Sequence, residues 1–189
     1  GGTGRPIRAS ASTGERQPVE ERLAYVEDRI EEGFGAVKLR LGPDPAEDLE
    51  VARRIRDAYP DLTLMVDGNM GWCVRVFEDR PDWSFGEALA VARELEEIGN
   101  VAWLEEPLHR RDYDGLARLR DATDVPIAGG EFNDGRAELR ELVDHGSLDV
   151  LQPDAALATG IRGSMDVAAM ARAHGLAFAP HTWTNGVGV

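Results

Sequence analysis

The chain of 189 residues carries 21 Lys and Arg against 35 Asp and Glu, a formal net charge of −14. That acidic surplus argues against a nucleic-acid binder, which needs a basic face for phosphates, and against docking on anionic membranes. Its 42% apolar and 30% charged residues match a soluble globular chain, and its one cysteine, Cys73, excludes an internal disulfide and a cysteine-built metal site.

Residues 7–12 read as a strand and 19–32 as a helix. Ala36-Val37-Lys38-Leu39-Arg40-Leu41 alternates and stops at Gly42, which predicts a strand. Over 44–59, Leu49, Val51, Ala52 and Ile55 recur near helical spacing, with Asp44 as cap, Pro45 suited to the first turn and Pro60 as stop. A strand over 62–66 is followed by an inserted loop over 70–83 and a helix over 85–98 closed by Gly99. Strands over 101–104, 125–128, 148–152 and 176–179 then alternate with helices over 114–121, 135–145 and 161–174. Seven strands in strict alternation with six helices imply a parallel sheet with helical crossovers.

Two architectures have that pattern, an open doubly wound sheet and a closed barrel. The dinucleotide fingerprint G-x-G-x-x-G follows none of the strands. Polar residues stand instead at the C-terminal ends of the strands: Lys38, Asp67, Glu105, Glu131, Asp154 and His181, separated by 29, 38, 26, 23 and 27 residues. Each gap is about one strand–helix unit, so the six recur at one height, as in a barrel whose site is assembled at one mouth.

Asp67, Glu105 and Glu131 would repel one another unless a cation sits among them, and an all-oxygen set suits Mg²⁺. A single acidic residue at a strand end is explained by capping of the next helix; three in step, beside a Lys and a His, are not. Lys38 and Arg40 face one side of their strand and can bind an anion such as a substrate carboxylate. Asn69 shares a face with Asp67, which places it near the metal. Asp154 and His181 lie on adjacent strand ends, where a carboxylate that orients an imidazole makes a general base. The chemistry this set suits is removal of the proton next to a carboxylate, with charge on the enediolate stabilised by metal and cations.

Val37-Lys38-Leu39-Arg40, Val66-Asp67-Gly68-Asn69, Trp103-Leu104-Glu105-Glu106-Pro107, Gly129-Gly130-Glu131, Gln152-Pro153-Asp154-Ala155 and Ala179-Pro180-His181-Thr182 resemble the enolase superfamily, and within it the mandelate racemase subgroup. The resemblance implies a modified (β/α)₇β barrel, Mg²⁺ on Asp67, Glu105 and Glu131, an Asp154–His181 dyad, and Lys38 on the substrate carboxylate. It also implies that Glu106 points away from the metal. Arg40 replaces the second Lys of the family's Lys-x-Lys motif, and a guanidinium is a poor base. One-base chemistry through His181 is left, which in this subgroup implies dehydration of a sugar acid to a 2-keto-3-deoxy acid. Protonated His181 is then one candidate acid for the departing hydroxyl.

Racemisation, epimerisation or cycloisomerisation on the same scaffold is the first alternative. A metal-dependent barrel hydrolase is weaker, because His-x-His is absent from the first strand region, Ala9-Ser10-Ala11-Ser12-Thr13. Against the family pattern, residues 1–189 read as an incomplete barrel domain without the preceding capping domain and the eighth strand. The expectation is an enzyme whose isolated segment is inactive, with a small hydroxy-carboxylate as partner, a homo-oligomer as a possible assembly and the cytoplasm as location. His109, His145 and His174 read as loop or helix-end residues, Cys73 as packing, and residues 27–32 as a solvated helix face. Trp72, Phe77 and Trp83 fit the pocket wall or the barrel rim equally. Glu15 and Arg16 could touch substrate or solvent, and Arg162 falls in the first turn of a helix.

Overall fold

The structure, a computed structural model, describes residues 9–14, 17–42, 45–69, 71–73 and 81–182. The front of the first strand, the Asp44 cap, and Glu15, Arg16 and Phe77 lie outside the described residues. The elements run β1 (Ala11–Ser12), α1 (Val19–Glu31), β2 (Ala36–Arg40), α2 (Pro45–Ala58), β3 (Thr63–Asp67), α3 (Phe85–Ile98) and β4 (Val101–Glu105). They continue α4 (Tyr113–Ala122), β5 (Ile127–Gly129), α5 (Gly135–Asp144), β6 (Val150–Leu151), α6 (Gly160–Ala173) and β7 (Ala177–Phe178). Among the described residues one π-helical turn, Ala155–Thr159, sits between β6 and α6, where the spacing predicts no element.

All strand pairs are parallel, and the strand order in the sheet is the chain order, β1 to β7. A doubly wound sheet reverses its order at a switch point; an unbroken run of neighbours is the wall of a barrel. The fold is therefore α/β, a curled half-barrel with seven parallel strands and six helices among the described residues. Among the described residues no helix is long and apolar enough to cross a membrane.

Local chemistry sets the boundaries. Ser84 opens α3 with a reciprocal capping box: Glu87 N–H donates to its hydroxyl at 3.3 Å, and its own N–H donates to the Glu87 carboxylate at 2.7 Å. Gly99 closes the helix at φ +72°, where a side chain is disfavoured. Asp112 caps α4 by accepting from Gly115 N–H at 3.0 Å, and the helix starts one residue ahead of the predicted 114.

The strands divide cleanly into two faces. Val37, Leu39, Leu64, Val66, Leu104, Ile127 and Leu151 are fully buried and join the core formed with the helices. Alternation then turns Lys38, Arg40, Met65, Asp67, Trp103 and Glu105 to the opposite, inner face. The register carries those positions across the sheet: Arg40 pairs with Asp67, and Asp67 with Glu105. Beyond the last strands, Asp154 and His181 form an isolated parallel bridge.

Candidate active site

Lys38, Asp67 and Glu105 meet on the inner face. The Lys38 Nζ donates to Asp67 Oδ2 at 3.1 Å and to Glu105 Oε1 at 2.9 Å. Burial alone would lower the Lys38 pKa, but the two carboxylates outweigh it and hold the ammonium above its ordinary value. Burial likewise works against the charge on Glu105. It is overcome by Lys38 and by hydrogen bonds from Gln152 and Trp103, so Glu105 is the firmly ionised member of the pair. Asp67 is pushed up, first by burial and then by the charge on Glu105. Arg40 stands two residues along from Lys38 on the same strand face. Asn69 lies in the turn after β3, and its backbone N–H donates to Asp67 Oδ1 at 3.0 Å.

The other half of the site is built at β6 and β7. Asp154 Oδ1 caps the π-helical turn, accepting from Ala156 N–H at 2.6 Å and Leu157 N–H at 2.9 Å. Its Oδ2 lies 2.8 Å from His181 Nδ1. Asp154 is buried, which opposes ionisation, yet the hydrogen bonds from His181 and the two amides keep its pKa below the ordinary value. An ionised Asp154 accepts a hydrogen bond from Nδ1–H, which leaves Nε2 as the unprotonated nitrogen of the neutral ring. Nε2 lies 3.4 Å from Glu131 Oε1. Glu131 is pushed up to about 8, chiefly by burial and then by the charges of Glu106, Glu105 and Asp67.

Consecutive glutamates part company after β4. Glu106 has φ +47°, and this left-handed residue turns the chain so that its carboxylate meets Trp72 Nε1 at 2.8 Å. Burial lifts Glu106 to about 7. Trp72 is itself buried and packs edge-on to His109 and Phe132, at centroid distances of 5.4 and 5.9 Å. It thus belongs to the rim, where Cys73 is also buried. Trp83 packs on the core. His145 and His174 are the C-caps of α5 and α6.

Trp103 and Gln152 were not singled out from sequence as site residues. Trp103 Nε1 and Gln152 Nε2 each donate to Glu105 Oε2 at 3.1 Å. Their signal was the period-two spacing: each precedes an inner-face carboxylate, Glu105 or Asp154, by two residues.

Asp67, Glu105 and Glu131 are oxygen donors of the kind a hard divalent cation takes, but they are not gathered around one point in this structure. Asp67 and Glu105 converge on one positive charge, that of Lys38, while burial and the neighbouring carboxylates work against the charge on Glu131. Glu131 stands beside His181 rather than beside that pair, and among the described residues no three His, Cys, Asp or Glu side chains are grouped closely enough to hold an ion.

Residues 21–189 match the family described as enolase C-terminal domain-like. The chain belongs to that family. D-galactarolactone cycloisomerase of Agrobacterium fabrum is 33% identical over 170 residues, covering 89% of this chain and 42% of that protein. L-talarate/galactarate dehydratase of Salmonella typhimurium is 36% identical over 166 residues, covering 87% of this chain and 39% of that protein. The crystal structure of L-talarate dehydratase from Polaromonas sp. JS666, complexed with Mg and L-glucarate, superposes with a TM-score of 0.82 at 31% identity. That match covers 94% of this chain and 47% of the other. The enolase-family chain thus spans less than half the length of these relatives. Epimerases and racemases also occur among its relatives.

Proposed function

We propose that the protein is a Mg²⁺-dependent hydro-lyase that dehydrates a sugar acid. The observation that carries this reading is the Asp154–His181 pair at 2.8 Å, which turns Nε2 toward Glu131. His181 Nε2 takes the proton α to the substrate carboxylate as the Cα–H bond breaks. Asp154 stabilises the imidazolium that results. Lys38 and Arg40 bind the substrate carboxylate, and Asn69 lines the same mouth. The β-carbon–oxygen bond then breaks, and the departing hydroxide leaves as water with a proton from His181. The enol that is left becomes the 2-keto-3-deoxy acid. Asp67, Glu105 and Glu131 would hold a Mg²⁺ ion, whose positive charge would stabilise the enediolate. Arg40 supports a one-base reaction, because a guanidinium keeps its proton at any ordinary pH.

The test is incubation of the intact protein with Mg²⁺ and a panel of aldonic and aldaric acids in D₂O, followed by proton NMR. Loss of the α-proton together with formation of a 2-keto-3-deoxy acid is expected. Exchange at the α-carbon with every hydroxyl retained would make it an epimerase or racemase. Isomerisation without loss of water, read on sugar-acid lactones added to the panel, would make it a cycloisomerase, as the Agrobacterium relative is named. His181→Asn is expected to abolish exchange; surviving exchange would remove His181 from the role of base.

A further inference from the structure

The mouth end of β2 is held by a buried ion pair between the two helices that flank it in sequence. Arg22 of α1 donates through Nη1 to Asp48 Oδ1 of α2, and the two residues are 2% and 0% exposed. Both also grip backbone. Arg22 Nη2 donates to the Arg40 carbonyl at 3.2 Å, and Asp48 Oδ2 accepts from Gly42 N–H at 2.7 Å. These two backbone groups lie past the reach of β1. That strand ends at Ser12, and Thr13 N–H to the Lys38 carbonyl, at 3.0 Å, is the last backbone bond on this edge among the described residues. Leu41 turns the other way, its N–H donating to the Asp67 carbonyl of β3 at 3.0 Å. Arg40 and Gly42 therefore face the edge that β1 leaves bare, and the ion pair does there what a longer β1 would do. Apolar side chains of similar size would fill this space without the cost of burying two charges, and the Arg22 Nε–H finds no acceptor among the described residues. Such a pair is a poor device for stability and a good one for fixing a backbone.

We propose that Arg22 and Asp48 are positioning residues that aim Arg40 at the substrate carboxylate by clamping the backbone on either side of Leu41. The inference rests on the reading of Arg40 as a cation for that carboxylate. The clamp acts where position counts most. Arg40 lies level with Asp67, and alternation turns its side chain to the inner face while Arg22 grips its carbonyl. A guanidinium meets a carboxylate as a planar fork through two parallel N–H bonds, so its aim depends on where the strand holds its Cα. Lys38 needs no such device, because Asp67 and Glu105 tether its ammonium directly at 3.1 and 2.9 Å.

The experiment is calorimetric titration of the intact protein with galactarate, a probe with a carboxylate at each end, at one fixed Mg²⁺ concentration and with a melting temperature for every variant. Arg22→Met combined with Asp48→Leu removes both charges and keeps the space filled. This double variant is expected to melt at or near the wild-type temperature, since apolar replacement of a buried pair is often neutral or stabilising. It is expected to bind galactarate about tenfold more weakly, the scale of one hydrogen bond to a charged group. Arg22→Lys keeps a charge opposite Asp48 but cannot fork to the Arg40 carbonyl as well. It is expected to show a similar loss, and it carries the test if the double variant does not fold. In a chain that already holds Arg40→Met, breaking the clamp is expected to cost no further affinity, because the clamp acts only through Arg40. A loss that persists in that background, or one that follows the melting temperature, would make the pair purely structural and overturn the proposal. If Arg40→Met weakens binding while both Arg22 variants bind as wild type, this inference alone fails. If Arg40→Met binds galactarate no differently from wild type, the carboxylate reading of Arg40 fails and takes the inference with it.

Discussion

Gly68 shows how little room the site leaves around its carboxylates. A Cβ built there would lie 2.8 Å from the Glu105 carbonyl oxygen and 3.2 Å from that of Glu106, both backbone atoms. The Gly68 N–H meanwhile donates to the Glu105 carbonyl at 2.7 Å, tying the turn after β3 to the end of β4. Gly68→Ala is therefore expected to push these strand ends apart and to cost about 1–3 kcal/mol in a urea melt, the range for overpacking a tight site. A neutral result would show that the turn can slide away from β4. At this scale the sequence was informative about height and silent about partners. Spacing alone placed Asp67 and Glu105 at the ends of β3 and β4 and Asp154 and His181 just past β6 and β7, because a strand–helix unit has a nearly constant length. Lys38, expected at a strand end, stands mid-strand in β2 opposite Met65, and Arg40 is the residue level with Asp67. It could not foresee that Lys38 bridges two carboxylates, or that Trp103 and Gln152 share one oxygen, since those contacts depend on side-chain reach across neighbouring strands.

Helices were legible to within a few residues, with α3 the clearest. Ser84, Glu87 and Gly99 mark its ends with chemistry that acts inside one turn and needs no tertiary context. The same helix carries a contact that no local pattern announces. Glu96 accepts from the Thr123 hydroxyl at 2.7 Å, from Asp124 N–H at 2.6 Å and from Arg93 at 2.7 Å, joining α3 to the turn before β5. These bonds, the Thr123 hydroxyl foremost, hold its pKa at about 2. A carboxyl depressed on folding stabilises the fold above its unfolded pKa of about 4.5, and that contribution drains away as pH falls toward 2. Glu96→Gln is thus expected to melt below wild type at pH 7, with the gap narrowing steadily in melts at pH 4 and pH 3. A constant gap would mean that the carboxylate's charge does not matter there. The π-helical turn was missed for a different reason: Ala155-Ala156-Leu157-Ala158-Thr159 has ordinary helix-forming composition. Its widening accompanies the Asp154 cap in front and Gly160, at φ +67°, behind.

For the molecule as a whole, the decisive clue was the alternation of strands and helices joined to polar strand ends, and the strand order agrees with the barrel it implied. A ligand that binds the folded chain and not the unfolded one must stabilise it by mass action. Mg²⁺ at a hundred times its dissociation constant is expected to add about 2.7 kcal/mol, several degrees in melting temperature, and to add nothing in Glu105→Gln. A wild-type melt indifferent to Mg²⁺ would leave the carboxylates without their ion. The agreement of strand order with chain order has a kinetic side too. Every strand pairs with a partner only some 20 to 40 residues back along the chain, so no step has to close a loop much longer than one unit. As the polypeptide emerges from the ribosome, each new strand finds its docking edge already made. Assembly can then advance from one end like a zip, with the growing edge as the one aggregation-prone surface in transit.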